Sequence, residues 1–162
     1  MVWIVTIVTA TAGLGTVVLL RWACRWGSTP DERRCEMPGD RFLEHGPPAR
    51  VAMTRAISIA APAAEVWPWL AQLGRGAGWY SVDRLDNGGK GSARHLVSWI
   101  PEPQLGDATA IGYLRHLEVG KVMAWWVDGV AFAGATARLV CSYQLAARSS
   151  GSRLVSRRSA DA

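Results

Sequence analysis

A long uncharged run lies at the start of the sequence. Val2–Leu20 contains 19 residues without one charge, and ten of them are Val, Ile or Leu. As an α-helix that rises about 1.5 Å per residue, this run would extend roughly 28 Å, which is close to the hydrocarbon thickness of a bilayer. The pattern predicts a single transmembrane helix, so that residues 2–20 would contact the membrane.

The charges beside this run predict its orientation. No Lys or Arg precedes it, whereas Arg21 and Arg25 follow it directly. Because positive residues favour the cytoplasmic side, we expect a single-pass protein of the cell membrane with its soluble domain in the cytoplasm. A cleaved signal peptide is the main alternative, but the run lacks a basic start, and Arg21 and Trp22 stand where small cleavage-site residues are needed. Thr9 and Gly13 have small-xxx-small spacing, which leaves self-association of the helix open.

Prolines and mixed charge mark the next segment. Residues 27–49 contain four prolines and show little periodicity, which is typical of a connector that lies over a surface. The chain therefore divides into an anchor with its basic flank at residues 1–26, a linker at residues 27–49 and a folded domain at residues 50–162. We expect the linker to space the domain from the membrane.

Apolar residues then recur at alternate positions. They are Val51, Met53, Ile57 and Ile59. This period of two predicts a β-strand with one buried face, which only Arg55 interrupts. The strand should end at Ala61–Pro62, and Pro62 is suited to the first turn of a helix.

The segment after Pro62 repeats apolar residues with the period of a helix. The repeated positions are Val66, Trp69, Leu70 and Leu73. This stripe, about 100° wide, predicts the helix face that packs in the core. Trp67 lies at the edge of the stripe, so we expect Trp69 to belong to the core and Trp67 to line a pocket. Packing alone is an equally open interpretation of Trp67, Trp69 and Trp79.

The chain beyond Pro101 has the pattern of strands. The predicted segments are residues 111–119, with Ile111, Tyr113, Leu117 and Val119 on one face, then Val122–Val127 after a Gly120–Lys121 turn, residues 136–145, and Arg153–Arg157 after a loop at residues 148–152. Residues 122–127 are apolar on both faces, as in a central strand. A strand, a helix, a short helical region and an antiparallel meander together predict an α+β fold in which a curved sheet wraps a helix.

Composition and charge limit the classes of function. With 49% apolar and 19% charged residues, the chain has the composition of a domain with a buried core. The net charge is +5, but the arginines are scattered and their one dense cluster lies at residues 153–158, so we expect no nucleic-acid partner. The three cysteines lack CxxC spacing, and His45, His95 and His116 lack ligand spacing, so we expect no disulfide, no metal and no cofactor.

Several stretches resemble one known family. They are Ile57–Pro62, the tryptophan-rich Val66–Leu70 with Gln72 and Gly74, Gly78–Ser81 with Asp83, Leu105–Asp107 and Ser152–Arg157. Over residues 40–158 the chain is similar to bacterial members of the SRPBCC superfamily, the START-like, helix-grip proteins often described as polyketide-cyclase-like. The resemblance implies a curved antiparallel sheet, an N-terminal helix pair and a long C-terminal helix around a deep apolar cavity. In members of the family this cavity holds lipids, sterols, polyketides or other hydrophobic molecules.

The end of the sequence departs from that resemblance. Members of the family continue after the strand at residues 153–158 through a further strand and the closing helix, whereas this sequence ends at Ala162. We therefore expect a C-terminally incomplete domain. Its cavity would be open, or covered by a partner chain, a membrane or the linker.

Aromatic residues form the candidate ligand-binding set. They are Trp67, Trp79, Tyr80, Tyr113, Trp125 and Tyr143. Concave, aromatic-lined pockets with few polar groups are typical of small-molecule sites. The first hypothesis is therefore a membrane-anchored protein that binds a hydrophobic small molecule or a lipid and needs no catalytic machinery.

An enzyme of the same fold is the alternative hypothesis. Its acid, base or orienting residues would be Tyr80, Asp83 and His116, although the sequence contains no GxSxG, HExxH or phosphate-loop motif. A cyclase-like enzyme would require Asp83 and His116 to face one cavity. The fold supports binders, transfer proteins and enzymes alike. An inactive, truncated family member is the third interpretation.

Overall fold

The chain forms an α+β fold built on one antiparallel sheet. The computed structural model describes residues 15–43, 51–109, 112–132 and 135–161. Its helices are α1 at residues 15–25, α2 Pro30–Arg34, a 3-10 helix Asp40–Leu43, α3 Ala63–Ala71 and α4 Asp83–Asp86. Its strands are β1 Val51–Ile59, β2 Ala108–Thr109, β3 Gly112–Glu118, β4 Val122–Phe132, β5 Ala135–Arg148 and β6 Gly151–Asp161. The strands lie in the order β1-β6-β5-β4-β3-β2 in a curved, open sheet. The prediction of an α+β fold with a curved antiparallel sheet is confirmed.

The predicted transmembrane run falls mostly outside the described residues. Residues 2–14 are not among them, whereas residues 15–20 begin α1. Within the part of the chain that the structure describes, none of the helices combines the length and the apolar character that a membrane span requires.

The β5–β6 hairpin has a tighter turn than the sequence predicts. Arg148 pairs with Gly151, so only two residues connect the strands, and such short turns match the natural twist of paired strands. Gly151 has φ 132, and a Cβ there would lie 2.1 Å from the Ile59 carbonyl oxygen, so the close approach of β1 requires glycine. The predicted five-residue loop is wrong, and β6 extends to Asp161 instead of ending at Arg157.

The alternation of side chains divides the sheet into two covered faces. One, which we call the helix face, packs against α3 through a cluster that includes Trp67, Leu70, Leu73, Leu114, Met123, Trp125, Cys141, Tyr143 and Leu145. The other, the connector face, is covered by residues 27–43, whose Met37 and Leu43 are buried. The core therefore lies on both sides of the sheet.

Residues 27–43 of the predicted linker are part of the folded domain. The buried guanidinium of Arg157 donates to Asp40 Oδ2 at 2.5 Å, to the Cys35 carbonyl oxygen at 2.8 Å and to Thr54 Oγ1 at 3.0 Å. Arg153 binds both carboxylate oxygens of Glu32, at 2.8 and 2.9 Å. These contacts hold the segment on the sheet, so the expectation of a spacer is wrong for residues 27–43, while residues 44–49 lie outside the described residues.

The buried face of β1 is the opposite of the predicted one. Thr54 and Ala56, which point to the connector face, are each 5% exposed, whereas Ile57 on the helix face is 45% exposed. The reason is that residues 27–43 cover the connector face, where Thr54 Oγ1 accepts from the buried Arg157 at 3.0 Å. At the free edge of β1, the Ala56 amide donates to the Trp26 carbonyl oxygen at 3.1 Å. Apolar alternation identifies a strand but does not indicate which face another segment covers.

A β-bulge in β3 breaks the face predicted for that strand. The register shifts between Leu114, which faces Trp125, and His116, which faces Ala124, because a bulge places two residues opposite one. As a result Leu114 is buried on the helix face, while Tyr113 lies opposite Trp126 and is 42% exposed. The expectation that Tyr113 and Leu117 share one face is therefore wrong, and Ile111 lies outside the described residues.

Candidate functional site

Helix α3 places its tryptophans opposite to the prediction. Trp67 is 5% exposed and belongs to the core, whereas Trp69 is 38% exposed. The helix ends at Ala71, so Leu73 turns inward as part of the following loop and does not define the helix stripe. The buried positions Trp67, Leu70 and Ala71 are spaced i, i+3 and i+4, as one face of a helix requires. The expectation that Trp69 belongs to the core is wrong, and Trp67, predicted to line a pocket from the edge of the stripe, belongs to the core cluster.

Aromatic residues from three elements meet in the core beneath α3. Trp67 from α3, Trp125 from β4 and Tyr143 from β5 belong to one buried cluster. The indole N–H groups of Trp67 and Trp125 have no hydrogen-bond partner among the described residues. A buried donor without an acceptor costs about 1–3 kcal/mol, so this cluster contains two donors that an acceptor group of a ligand would satisfy.

Arg158 is a polar residue on the helix face of β6, at the border between the core cluster and strands β1 and β6. Arg158 pairs with Cys141 across β5 and β6 and with Met53 across β1 and β6, so these three side chains share the helix face. The positive charge of Arg158 lies close enough to act on the hydroxyl of Tyr143 and the thiol of Cys141. Burial raises the pKa of Tyr143 and of Cys141, and the positive charge of Arg158 acts in the opposite direction. Both groups are therefore neutral donors at neutral pH.

The sequence prediction missed Arg158 and Cys141 as members of this site. Cys141 and Tyr143 alternate clearly on β5, but Arg158 joins them only through the hairpin register, which pairs residue 148 with residue 151. The only signal in the sequence was the Ser-Ser-Gly turn at residues 149–151. With the turn fixed at two residues, the pairing of Cys141 with Arg158 follows by counting along the strands.

The loop after α3 is organised by the buried amide of Gln72. Gln72 Nε2 donates to Tyr80 Oη at 2.5 Å and to the His95 carbonyl oxygen at 3.3 Å, and Gln72 Oε1 accepts from the Val97 amide at 2.9 Å. Tyr80 has φ 53 and is 42% exposed. Such a conformation is unfavourable for a bulky residue and persists where surrounding contacts impose it. The Gln72 amide therefore holds Tyr80 in position on the surface.

Glycine and tryptophan pack closely in the same loop. Gly74 has φ +69, and a Cβ there would lie 2.2 Å from the ring of Trp79. Trp79 is half-buried and packs on the core cluster, and the rings of Trp69 and Tyr80 contact each other edge to face with their centres 6.1 Å apart. This packing accounts for the glycine and tryptophan pattern at residues 74–80, and it places Tyr80 at the edge of the cluster.

Of the three residues predicted for catalysis, Tyr80 and Asp83 are linked through Ser92, whose Oγ accepts from the Tyr80 amide at 3.1 Å, whereas His116 lies elsewhere. Asp83 accepts from Ser92 Oγ at 2.6 Å and from the Ser92 amide at 3.2 Å, so it fixes a loop. His116 lies on the connector face, where Nδ1 is 2.9 Å from Arg41 Nη2 and Nε2 is 3.3 Å from Glu118 Oε1. Because Arg41 can only donate, Nδ1 of His116 is the acceptor. The described contacts of Asp83, His116 and Tyr80 include none that joins two of them directly.

A cleft of about 370 Å³ lies beside the end of α3. Its lining includes Gly74, Arg75, Trp99, Ile100, Asp107 and Thr109. Arg75 donates to Asp107 Oδ2 at 2.8 Å and to the carbonyl oxygens of Ala71 and Pro101 at 3.0 and 2.7 Å. The charges of this cleft are therefore satisfied within the protein. Among the described residues, no group of three His, Cys, Asp or Glu side chains is placed to hold a metal ion.

Comparison with known proteins gives distant structural similarity only. No protein-family model matches the chain, and no curated protein matches it. Among solved structures, the chain is similar to the crystal structure of protein MLL2253 from Mesorhizobium loti, at 15% sequence identity and a TM-score of 0.47. The similarity covers 69% of this chain and 78% of that one. The function of the site is therefore inferred from its own residues.

Proposed function

We propose that this protein is a membrane-tethered binder of a hydrophobic small molecule or a lipid. The observation that supports this best is a set of apolar side chains on the helix face, which we call the apolar strip. Ile57 and Leu154 form one end and Met53 and Leu139 the other, with Arg55 and Ser156 between them. Ile57 is 45% exposed, and the other three are half-buried. Leu139 and Leu154 also pack against the core cluster, so the strip continues the core to the surface. Exposed apolar surface of this kind is typical of ligand-binding grooves.

The aromatic cluster next to the strip supports the same proposal. Trp67 and Trp125 each carry a buried indole N–H without an acceptor among the described residues. A mainly apolar ligand with one or two acceptor atoms would satisfy these donors at little cost, because its remaining surface is apolar like the strip. This chemistry fits a lipid or polyketide better than a sugar or a nucleotide.

The tether is proposed from the sequence and from α1. The side chains of Val18, Leu19, Leu20 and Trp22 on this helix are 58–63% exposed. Arg55 Nε donates to the Ala23 carbonyl oxygen at 2.8 Å, and an arginine at that position satisfies a free carbonyl at the end of a helix. Arg55 lies between Met53 and Ile57 on the strand, so the end of α1 lies beside the apolar strip.

Catalysis is not part of the proposal. A cyclase-like reaction needs an acid or base within hydrogen-bond reach of a bound substrate. The Asp83 carboxylate accepts hydrogen bonds from Ser92. His116 lies on the opposite face of the sheet from the strip. Binding therefore accounts for the arrangement of the described residues without a reaction.

The experiment is native extraction of the full chain from membranes, followed by mass spectrometry of bound small molecules and titration with a neutral apolar fluorescent probe. We expect a co-purified hydrophobic compound and saturable probe binding. Ile57→Asn should weaken probe binding severalfold, because it makes the most exposed residue of the strip polar. Val119→Asn is the matched control, since Val119 is 65% exposed at the β3–β4 turn. A chain that carries no compound and binds no probe would overturn the proposal, as would equal binding by both variants.

A further inference from the structure

We infer that the ligand is an amphipathic carboxylate whose charged end binds Arg158 and Tyr143 while its apolar chain covers the strip. This inference rests on the proposed function and specifies the chemical class of the ligand. It is carried by the position of Arg158, by its lack of an acidic partner and by the two neutral donors beside it.

The sheet register determines the position of Arg158. Arg158 projects from the helix face of β6, directly opposite Met53 on β1 and Cys141 on β5. Met53 belongs to the apolar strip, and Cys141 belongs to the buried cluster. A molecule that lies along the strip therefore passes beside Arg158, which is an exposed residue with a partly buried guanidinium.

The charge of Arg158 is not neutralised within the described part of the protein. Three other arginines on β5 and β6 have acidic partners: Arg138 pairs with Asp161, Arg153 with Glu32, and Arg157 with Asp40. Arg158 makes no such ion pair among the described residues, and the Tyr143 hydroxyl and the Cys141 thiol lie near its charge. An arginine beside an apolar groove without a carboxylate of its own favours an anionic ligand group there.

The donors at this position fit a carboxylate. A guanidinium presents parallel N–H groups that match the two oxygens of a carboxylate, and charge-assisted bonds of this kind are stronger than neutral ones. The Tyr143 hydroxyl adds a further donor, and it remains protonated because burial raises its pKa. Arg55, the other arginine described on this face, already donates to the Ala23 carbonyl oxygen, so Arg158 with one hydroxyl beside it suits a monoanionic carboxylate better than a dianionic phosphate.

The test uses the full chain in neutral phosphatidylcholine nanodiscs, with empty nanodiscs as the blank. The probes are cis-parinaric acid and its neutral methyl ester, and binding is followed by energy transfer from the tryptophans. We expect the acid to bind about tenfold more tightly than the ester, which is a modest value for a charge-assisted bond. Sodium acetate at millimolar concentration should not compete, because it lacks the chain.

Variants separate the charged contact from the fold. Arg158→Gln should abolish the preference for the acid, Arg158→Lys should keep part of the preference, and Tyr143→Phe should reduce it severalfold. Arg148→Gln is the matched control, because Arg148 is exposed at the end of β5 and should retain the full preference. Since Arg158 is exposed, its substitution should leave melting nearly unchanged.

The outcomes distinguish this inference from the proposed function. If the ester and the acid bind the parent chain equally, or if Arg158→Gln keeps the preference for the acid, the inference is wrong and hydrophobic binding stands. If neither probe binds the parent chain, both the inference and the proposed function are wrong. Should Arg158→Gln fail to fold, the comparison of Arg158→Lys with Tyr143→Phe decides, and an unchanged preference in both would refute the charged contact.

Discussion

Trp67 and Trp69 lie two residues apart on α3 but face opposite environments. Trp67 is 5% exposed in the core cluster, whereas Trp69 is 38% exposed and contacts Tyr80 edge to face. Two helical positions differ by about 200° around the axis, so only one of the two rings can point to the sheet. Trp67 has that position, and its indole N–H is buried without a described partner.

The first prediction concerns this pair. Trp67→Ala should lower the free energy of unfolding by about 3–5 kcal/mol, because it leaves a void in the core. Trp69→Ala should lower it by about 1 kcal/mol or less, since much of this ring is in water. Urea unfolding of both variants, followed by circular dichroism, measures the difference. Equal losses of stability in the two variants would show that Trp67 and Trp69 are buried to the same extent.

The second prediction concerns Arg157, which fastens residues 27–43 to the sheet. Arg157→Leu should cost about 3–5 kcal/mol, because it leaves Asp40 and several carbonyl oxygens without their buried partner. Trypsin should then cleave the loosened segment at Arg33 or Arg41 faster than in the parent chain. Arg148→Leu is the control, since Arg148 is exposed. Unchanged proteolysis in Arg157→Leu would mean that other contacts hold the segment.

The third prediction concerns acid stability. The hydrogen bonds from Arg153 lower the pKa of Glu32 from 4.5 to about 2, against the opposing effect of burial. Because the folded-state pKa is depressed, this stabilisation is complete above about pH 4.5 and is lost as the pH falls from there to about 2. Glu32→Gln should lose on the order of 1–2 kcal/mol at neutral pH, after allowance for solvent screening.

The pH profile of that variant gives the measurement. Between pH 4.5 and pH 2, thermal unfolding of Glu32→Gln should depend less on pH than that of the parent chain. Glu36→Gln is the control, because Glu36 is exposed and forms no ion pair among the described residues. Parallel profiles for the parent and Glu32→Gln would rule out a stabilising role for the Glu32–Arg153 contact.

The fourth prediction concerns the membrane tether, which remains a prediction from Val2–Leu20. The chain should pellet with membranes and resist carbonate extraction. Cys35 is exposed on the domain, so in a Cys24→Ser, Cys141→Ser background a membrane-impermeant thiol reagent should label it only after lysis. Labelling of intact cells would place the domain outside, and recovery of the chain in the soluble fraction would refute the tether.

The sequence predicts which segments form strands and helices better than it predicts which side of each element is buried by another segment. The alternation at residues 51–59 located β1, and the apolar period after Pro62 located α3. The buried side of β1 depends on residues 27–43, which have no periodicity and bind through Arg153 and Arg157. Contacts between residues more than a hundred positions apart leave no mark in a local pattern.

The candidate site shows the same limit. Trp67, Trp125 and Tyr143 were predicted as a set, and the structure brings them into one cluster. Tyr113 is excluded by the bulge in β3, and Arg158 enters through the length of the β5–β6 turn. Both depend on a single residue of strand register, which composition and periodicity do not determine.

The turn at Ser149–Ser150 therefore determines the face of the sheet to which each arginine of β6 points. With two connecting residues, Arg153 and Arg157 point to the connector face and Arg158 to the helix face. A change of register by one position would exchange these directions, because successive side chains point to opposite faces. Arg157 would then lie beside the apolar strip, and Arg158 would face the carbonyl oxygens of residues 32–35. The hairpin turn thus determines which arginine binds residues 32–40 and which lies beside the apolar strip.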